Sequence, residues 1–230
     1  MDTLDVLQEI IEYKFKNKYL LKNALMHSSY TNEKKMAYIS NYERLEYLGD
    51  AVLELVSSRF IYDNYPGYKE GEMTKLRASL VCEYSLANVA RKLEIGKFIL
   101  LGKGERKSKG ADRSSILCDV VEAIIGAMYL DGGISSAESF IMKHVLSDID
   151  KKQLFQDSKS TLQELVKKLG YDSVKYELLS ETGPENDKQF EFMCMIDGKA
   201  FCSGIGRSKK LAQQEAAYKT LINLQKRSRI

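Results

Sequence analysis

The chain has 230 residues, of which 44% are hydrophobic, 29% are charged and two are proline; this composition excludes a disordered or collagen-like protein and allows one large or two modest helix-rich domains. No stretch approaches the roughly 20 apolar residues of a membrane span, and the acidic N-terminus (MDTLDVLQEI) lacks the basic region of a secretory signal, so we expect a cytoplasmic protein without a membrane partner. The net charge is +3, and the excess lies entirely from Asp157 onward, where 13 basic residues face 10 acidic ones, against 22 of each before it; this is a weak indication of a polyanion-binding module.

The first 148 residues are predicted to form an all-helical domain. Apolar residues recur there with the three- and four-residue spacing of amphipathic helices, and no convincing alternating strand is present. Breakers such as Asn64-Tyr65-Pro66-Gly67 and Asp131-Gly132-Gly133 separate the periodic runs. The longer predicted helices cover residues 41–62, 73–93, 114–130 and 135–146.

The pattern changes after a polar, charged segment at 149–157, which we interpret as a linker. Residues 158–227 are predicted to form a small α+β domain with the order α-β-β-β-α, so that the fold class is a multidomain chain. The β-like runs cover 176–181, 189–196 and 199–203, and Asp197-Gly198 between the last two is a hairpin signal. A closing helix is predicted over 208–224.

Three acids of the helix at 41–62 share one face. Because each helical residue advances about 100°, Glu43, Glu46 and Asp50 point the same way, and their mutual repulsion destabilises the helix by a few tenths of a kcal/mol per pair. A bound cation would reverse that effect. The alternative is a solvated acidic stripe whose charge is partly offset by Arg44 or by a basic residue distant in sequence.

Two further acids occur in an otherwise apolar helix. Asp119 and Glu122 lie three residues apart within ILCDVVEAII, and a helix that is apolar all round is usually buried. An unpaired buried carboxylate is costly, so these two are expected to be protonated, metal-bound or ion-paired. Arg77 and Arg113 are the candidate partners for a buried ion pair.

Together the two helices could supply Glu46, Asp50, Asp119 and Glu122 to one metal site. Carboxylate oxygens without a nearby His or Cys favour Mg²⁺ or Mn²⁺ over Zn²⁺. The four cysteines show no CxxC spacing, so we expect reduced thiols and neither a disulfide nor a zinc site.

The motifs around these acids resemble the ribonuclease III family, in the family's order and over nearly the whole chain. The signature-like stretch is ERLEYLGDAVL at 43–53, and the C-terminal stretches LQE at 162–164 and GIGRSKKLA at 204–212 are similar to a double-stranded-RNA-binding domain. The other matching segments are ALMHSS at 24–29, EGEMT at 70–74, LRA at 76–78, GKGE at 102–105 and DVVEAIIG at 119–126.

The resemblance implies a Mg²⁺-dependent endonuclease that cuts double-stranded RNA, with Mn²⁺ as a substitute ion, and a role in processing rRNA precursors and mRNA. Glu46, Asp119 and Glu122 would be direct metal ligands, and Asp50 would act partly through water. Products would carry 5′-phosphates, 3′-hydroxyls and short 3′ overhangs. The catalytic positions implied for this sequence are Asp50, Glu122, Glu43 and Glu70.

The resemblance also implies an obligate homodimer with one active site per strand. Glu43 and Glu70 would lie near the dimer interface and assist cleavage. Tyr47 takes the place of an aromatic residue that inserts into the partner subunit. A two-fold axis can match the local dyad of an antiparallel duplex, which would direct two symmetric sites to opposite strands.

The C-terminal domain is expected to recognise duplex RNA by shape, through phosphates and 2′-hydroxyls. Its first helix would present side chains to a minor groove, the loop at 183–186 would enter the next one, and the start of the last helix would meet phosphates. Asn186 fills a loop position where many family members have His, so the contact there is expected to differ. The predicted RNA-binding residues are Thr161, Gln163, Glu164, Asn186, Ser208, Lys209 and Lys210.

Two other functions compete with the nuclease. A non-catalytic RNA-binding or ribosome-associated protein on the same fold would be expected to have lost some of the acids implied by the resemblance. All six are present here: Glu43, Glu46, Asp50, Glu70, Asp119 and Glu122. A carboxylate-metal hydrolase acting on small phosphates would leave the C-terminal module without a purpose. Binding without cleavage would favour the first alternative, and absence of duplex-RNA affinity would favour the second.

Overall fold

The computed structural model describes residues 3–183 and 188–227. The chain divides into two compact units, Met1–Ser147 and Asp148–Ile230. The first is helical and the second combines helices with one sheet, which confirms the predicted fold class. Among the described residues, no helix combines the length and the apolar composition needed to cross a lipid bilayer, and no disulfide joins the cysteines.

The first unit contains nine α-helices and several short helical turns within its described part. Their bounds are α1 Thr3–Ile10, α2 Lys18–Ala24, α3 Ser28–Glu33, α4 Glu43–Asn64, α5 Glu70–Val81, α6 Glu83–Lys92, α7 Lys103–Lys107, α8 Ser114–Gly132 and α9 Ile134–Phe140. A π-helical turn, Ile141–Val145, continues α9.

Helix α8 is the centre of this unit. Most of its residues from Ser115 to Met128 are buried, and α2, α4, α6 and α9 pack against it. This placement explains why most of its sequence is apolar, since four helices cover it and only a few positions, including Asp119 and Glu122, stay partly exposed. The carboxylates of Asp119 and Glu122 are therefore held within the best-packed element of the fold.

The prediction of a single helix over 73–93 is wrong, because the structure has two helices there, α5 and α6. Cys82 adopts an extended backbone (φ −69°, ψ 159°) between α5 and α6. Each helix buries its own apolar residues, with Leu76 and Leu80 in α5 and Leu86 in α6. The bend lets both helices reach the core, and no Gly or Pro marks it in the sequence.

The second unit is a three-stranded antiparallel sheet with helices packed against it, and its strands lie in the order β1 (Val174–Thr182), β2 (Gln189–Ile196) and β3 (Lys199–Gly206). Asp197 and Gly198 both have positive φ (46° and 75°), as the two-residue turn between β2 and β3 requires. The elements are α10 Ile149–Gln156, α11 Ser158–Lys168, β1 Val174–Thr182, β2 Gln189–Ile196, β3 Lys199–Gly206 and α12 Lys209–Arg227. Their shared core is formed by Leu162, Val166, Cys194, Ile196, Ala216, Ala217, Leu221 and Leu224.

The linker predicted at 149–157 is instead helical and belongs to the second unit. In α10, Phe155 is buried, its ring lies 5.5 Å from that of Tyr218, and its carbonyl accepts a hydrogen bond from Gln214 at 3.0 Å. The residues around Phe155 in the sequence are mostly polar or charged, so the local composition predicts a linker rather than a packed helix. The change between the two units therefore comes at Ser147 and Asp148, before this segment.

Candidate metal centre and RNA-binding surface

Helices α4 and α8 cross at two glycines. A methyl group at Gly49 would overlap the backbone carbonyl of Glu122, and one at Gly126 would overlap the carbonyl of Leu45. Larger residues at either position would hold the helices apart. The absence of both side chains thus lets the two backbones approach directly where the acids are found.

This crossing brings together acids from both helices. Glu46 and Asp50 flank Gly49 on α4, and their charges act on Glu122 of α8, as does that of Asp119. The ligand atoms of Asp119 and Glu122 lie within 4.8 Å of one another. The charges of Glu46, Asp50 and Asp119 thus all act at Glu122, whereas the group of ligand atoms within 4.8 Å contains Asp119 and Glu122 but neither Glu46 nor Asp50.

Burial and repulsion dominate the electrostatics of this cluster. Burial, followed by the charges of Asp50, Asp119 and Glu46, raises the pKa of Glu122 to about 8. Such crowding is unfavourable for carboxylates alone and favourable around a divalent cation. The donor set consequently fits a divalent metal ion.

Tyr42 joins the cluster from the residue before α4. Its hydroxyl donates to Asp119 Oδ2 at 3.3 Å, and burial, followed by the charges of Asp119, Glu46 and Glu43, raises its pKa well above the usual range. Tyr42 is held by a backbone bond to Met26, 2.9 Å long. It remains a proton donor at ordinary pH and fixes the orientation of Asp119.

The alternative of a buried ion pair receives little support. Arg77 Nε lies 2.8 Å from Glu54 Oε2, and Arg113 Nη2 lies 3.0 Å from Glu105 Oε1. The charges that act most strongly on Glu122 come from other carboxylates rather than from an arginine.

The expectation that no cysteine lies near these acids is wrong. Cys118 Sγ is 3.6 Å from Glu122 Oε1, and its sulfur falls within the same 4.8 Å group as the ligand atoms of Asp119 and Glu122. Cys118 and Glu122 are four residues apart on α8, so they share a helix face.

Glu70 and Tyr47 lie apart from the four-acid cluster. Glu70 begins α5, accepts from Thr74 Oγ1 at 3.0 Å, and lines a groove of about 500 Å³ with Ser58 and Tyr62 of α4. Those two residues are about 12–18 Å along the helix from Asp50, at about 1.5 Å per residue. Tyr47 projects outward with 82% of its surface exposed.

The raised pKa of Glu122 predicts how metal-free stability varies with pH. Unfolding restores an ordinary carboxyl with a pKa near 4.5, whereas the folded state holds the pKa at about 8. The unfolded state therefore releases this proton first, and stability falls as pH rises from about 4.5 to 8. Glu122→Gln should remove that part of the fall, so the metal-free variant melts above the wild type at pH 8 and close to it at pH 4.5.

Thermal unfolding in a chelator across this pH range measures the difference. Glu9→Gln, an exposed carboxylate on α1, is the matched control and should follow the wild type. Parallel curves for Glu122→Gln and wild type would contradict the assignment.

The predicted RNA-binding side chains of the second unit occupy two helix starts. Gln163 and Glu164 are exposed on α11, and Thr161 is half-buried. Lys209 and Lys210 are exposed at the start of α12. Ser208 Oγ accepts from the Leu211 backbone N–H at 3.2 Å, so it caps the helix that presents the lysines. Asn186 and most of its loop lie outside the described residues.

Four residues that shape the acidic cluster between α4 and α8 were not predicted to contribute to it. Gly49 and Gly126 occur in the motifs at 43–53 and 119–126, and a small residue on each acid-bearing helix is the available signal for a close crossing. Tyr42 precedes the first acid directly. Cys118 precedes Asp119, and its four-residue spacing from Glu122 indicates the shared face.

Known protein families match both parts of the chain. Residues 17–149 match the family described as Ribonuclease-III-like, and residues 158–224 match the double-stranded RNA binding motif. Proteins named Ribonuclease 3 from Bacillus licheniformis and Pelotomaculum thermopropionicum are each 45% identical to this chain. The alignments cover 95% of this chain and 89% of the first protein, and 96% and 93% for the second.

The first unit also resembles a solved structure. The nuclease domain of ribonuclease III from Campylobacter jejuni is 40% identical, with a TM-score of 0.58, over 62% of this chain and 96% of that one. The two family matches, at 17–149 and 158–224, together cover most of this chain. The chain therefore belongs to the ribonuclease III family of double-stranded-RNA endoribonucleases.

Proposed function

We propose that this chain hydrolyses phosphodiesters of double-stranded RNA with Mg²⁺, leaving 5′-phosphates, 3′-hydroxyls and short 3′ overhangs. The observation that carries the proposal is the crossing of α4 and α8, where acids of both helices surround Glu122. Precursors of rRNA and mRNA in the cytoplasm are the proposed substrates.

Glu46, Asp119 and Glu122 would hold the ion, and Asp50 would orient a water beside it. When bound, Mg²⁺ supplies a Lewis acid that polarises the phosphate and makes water a better nucleophile. Mn²⁺ offers similar coordination to oxygen ligands and is proposed as a substitute. Tyr42 keeps Asp119 in place through its hydroxyl, and Glu43 adds negative charge around that hydroxyl.

Glu122 links metal binding to proton release. With a pKa of about 8 in the metal-free fold, this carboxyl carries a proton at neutral pH. A ligand carboxylate must lose that proton, so metal affinity should rise with pH. The half-buried position of Glu122 limits the water that would otherwise screen its charge.

A homodimer is proposed because two exposed features of the first unit lack a role in one subunit. Tyr47 on α4 is 82% exposed, and Glu70 lines a groove with exposed Leu55 and Tyr62. The Campylobacter jejuni nuclease domain is described as having a region involved in dimer formation. In a C₂ dimer Tyr47 would enter the partner subunit and Glu70 would assist cleavage near the interface. A solution mass of two chains supports this arrangement, and a stable active monomer refutes it.

The second unit is proposed to bind the duplex across its grooves. Thr161, Gln163 and Glu164 would meet 2′-hydroxyls, which is how such domains read A-form RNA. Asn186 is proposed to contact the neighbouring minor groove. Ser208 orders the start of α12, where Lys209, Lys210 and the helix N-terminus favour phosphate.

The double variant Lys209→Ala with Lys210→Ala should weaken binding to all duplex RNAs alike. Each lysine that contacts a phosphate contributes about one unit to the slope of log affinity against log salt, so the slope should fall by about two. Lys199→Ala, exposed at the turn between β2 and β3, is the matched control. Affinities measured over a salt series give the slopes, and an unchanged slope in the double variant would refute phosphate contact at these lysines.

One comparison tests the proposed activity as a whole. Labelled duplex RNA, single-stranded RNA and duplex DNA are incubated with the protein, each with and without Mg²⁺. Cleavage of duplex RNA alone, and only with Mg²⁺, is expected. Duplex binding without cleavage would favour the non-catalytic RNA-binding protein, and absence of duplex affinity would favour a small-phosphate hydrolase.

A further inference from the structure

The thiol of Cys118 is buried inside the acidic cluster. Cys118 is only 5% exposed, and its sulfur lies 3.6 Å from Glu122 Oε1. Together with Asp119, these residues form a group whose ligand atoms all lie within 4.8 Å of one another. The site therefore offers one sulfur donor next to its oxygen donors.

The spacing of sulfur and oxygen suits a small tetrahedral ion. Zinc binds thiolate sulfur at about 2.3 Å and carboxylate oxygen at about 2.1 Å. At a tetrahedral angle those bond lengths put the two donors about 3.6 Å apart, which equals the observed separation of Cys118 Sγ and Glu122 Oε1. The thiol now donates a hydrogen bond across this distance, and one shared ion would need the same spacing of the two atoms.

The two kinds of donor select different ions. Mg²⁺ binds oxygen ligands in octahedral geometry and keeps several waters, so we do not expect it to bind the thiol. Thiophilic ions such as Zn²⁺ and Cd²⁺ take thiolate readily. Asp119 and Glu122 are half-buried and Cys118 is buried, so the carboxylates are more accessible to an ion from solvent than the sulfur.

We propose that Cys118 makes this centre a binding site for a thiophilic divalent cation, of which Zn²⁺ is the natural example, and that this ion displaces Mg²⁺ and stops cleavage. As the ion binds sulfur and oxygen, the protons of the Cys118 thiol and of the Glu122 carboxyl pass to solvent, and no electrons are transferred. Occupation of Glu122 and Asp119 by this ion removes the oxygens that Mg²⁺ needs. The inhibitory effect rests on the proposed nuclease activity, whereas the binding itself does not.

Cadmium provides a direct readout of the thiolate. Cd²⁺ is titrated into the full-length protein, without RNA, and the ultraviolet sulfur-to-cadmium charge-transfer absorption is followed. Cys118→Ser keeps the size of the side chain but replaces sulfur with oxygen, and it should lose the tightest phase of that absorption. Cys82→Ser is the matched control, since Cys82 lies at the junction of α5 and α6 and its thiol donates to the Ser79 carbonyl; it should keep that phase.

Zinc inhibition then separates this inference from the proposed function. In the presence of Mg²⁺, Zn²⁺ should inhibit the wild type and Cys82→Ser at similar concentrations, and Cys118→Ser should need about tenfold more or above, since even indirect partners of metal ligands contribute about 10–100-fold to affinity. Cys118→Ala serves as a second variant if Cys118→Ser melts early. Equal Cd²⁺ absorption in wild type and both Cys118 variants, or equal Zn²⁺ inhibition, overturns the inference. Failure of the wild type to cleave with Mg²⁺ alone would instead overturn the proposed function, and the Cd²⁺ result would stand.

Discussion

Glu122→Gln should lower the rate of duplex-RNA cleavage about a thousandfold or more while leaving duplex affinity nearly unchanged. A metal acting as a Lewis acid contributes several kcal/mol to the transition state, and each 1.4 kcal/mol is about a tenfold change in rate. Glutamine keeps the volume of the side chain and removes the charge that would hold the ion. Binding persists because the RNA-binding motif at 158–224 is intact.

The measurement is single-turnover cleavage of a labelled duplex, paired with a binding assay on the same RNA. Asp119→Asn should behave in the same way, since it alters the carboxylate that Tyr42 orients. The exposed Glu9→Gln should cleave at the wild-type rate. If Glu122→Gln cuts at close to that rate, Glu122 is not a metal ligand.

Gly49→Ala should destabilise the first unit and disable the site together. The new methyl group would overlap the Glu122 carbonyl. Because this carbonyl belongs to the backbone, the clash cannot be relieved by a change of side-chain rotamer. Overpacking typically costs about 1–3 kcal/mol and sometimes more, and we expect about 3 kcal/mol or more here. For a chain of this size that corresponds to a melting temperature lower by about 6–12 °C.

Activity should fall even where the Gly49 variant remains folded. Separation of α4 from α8 moves Glu46 and Asp50 away from Glu122, so the Mg²⁺ concentration needed for cleavage should rise. Gly71→Ala is the matched control, because this glycine lies in α5 with open space around it and alanine favours helix by about 1 kcal/mol at most. A Gly49→Ala protein as stable and as active as Gly71→Ala would contradict the close crossing.

The faces of the helices could be predicted because helical periodicity is a local property. The spacing of Glu43, Glu46 and Asp50 places them together, and the apolar surroundings of Asp119 and Glu122 indicate burial. The hairpin at Asp197-Gly198 was predictable for the same reason, since both residues tolerate positive φ. The family resemblance added the relation between the two acid groups that periodicity alone leaves open.

Other features depend on tertiary packing and could not be predicted from local pattern. The bend at Cys82 carries no breaker and arises because α5 and α6 bury separate apolar faces. Phe155 gives α10 its anchor through Tyr218 and Gln214, and those partners are about 60 residues away in sequence. The four-residue spacing of Cys118 and Glu122 indicates a shared helix face, but the 3.6 Å separation of their side chains depends on how both are packed.

Anomalous scattering from Mn²⁺ in crystals of this protein tests the central claim most directly. We expect one strong peak within coordination distance of the Glu46, Asp119 and Glu122 carboxylates, and its loss in Glu122→Gln. A strong peak at another group of residues, or an unchanged peak in the variant, would contradict the proposal that acids from α4 and α8 form the metal centre.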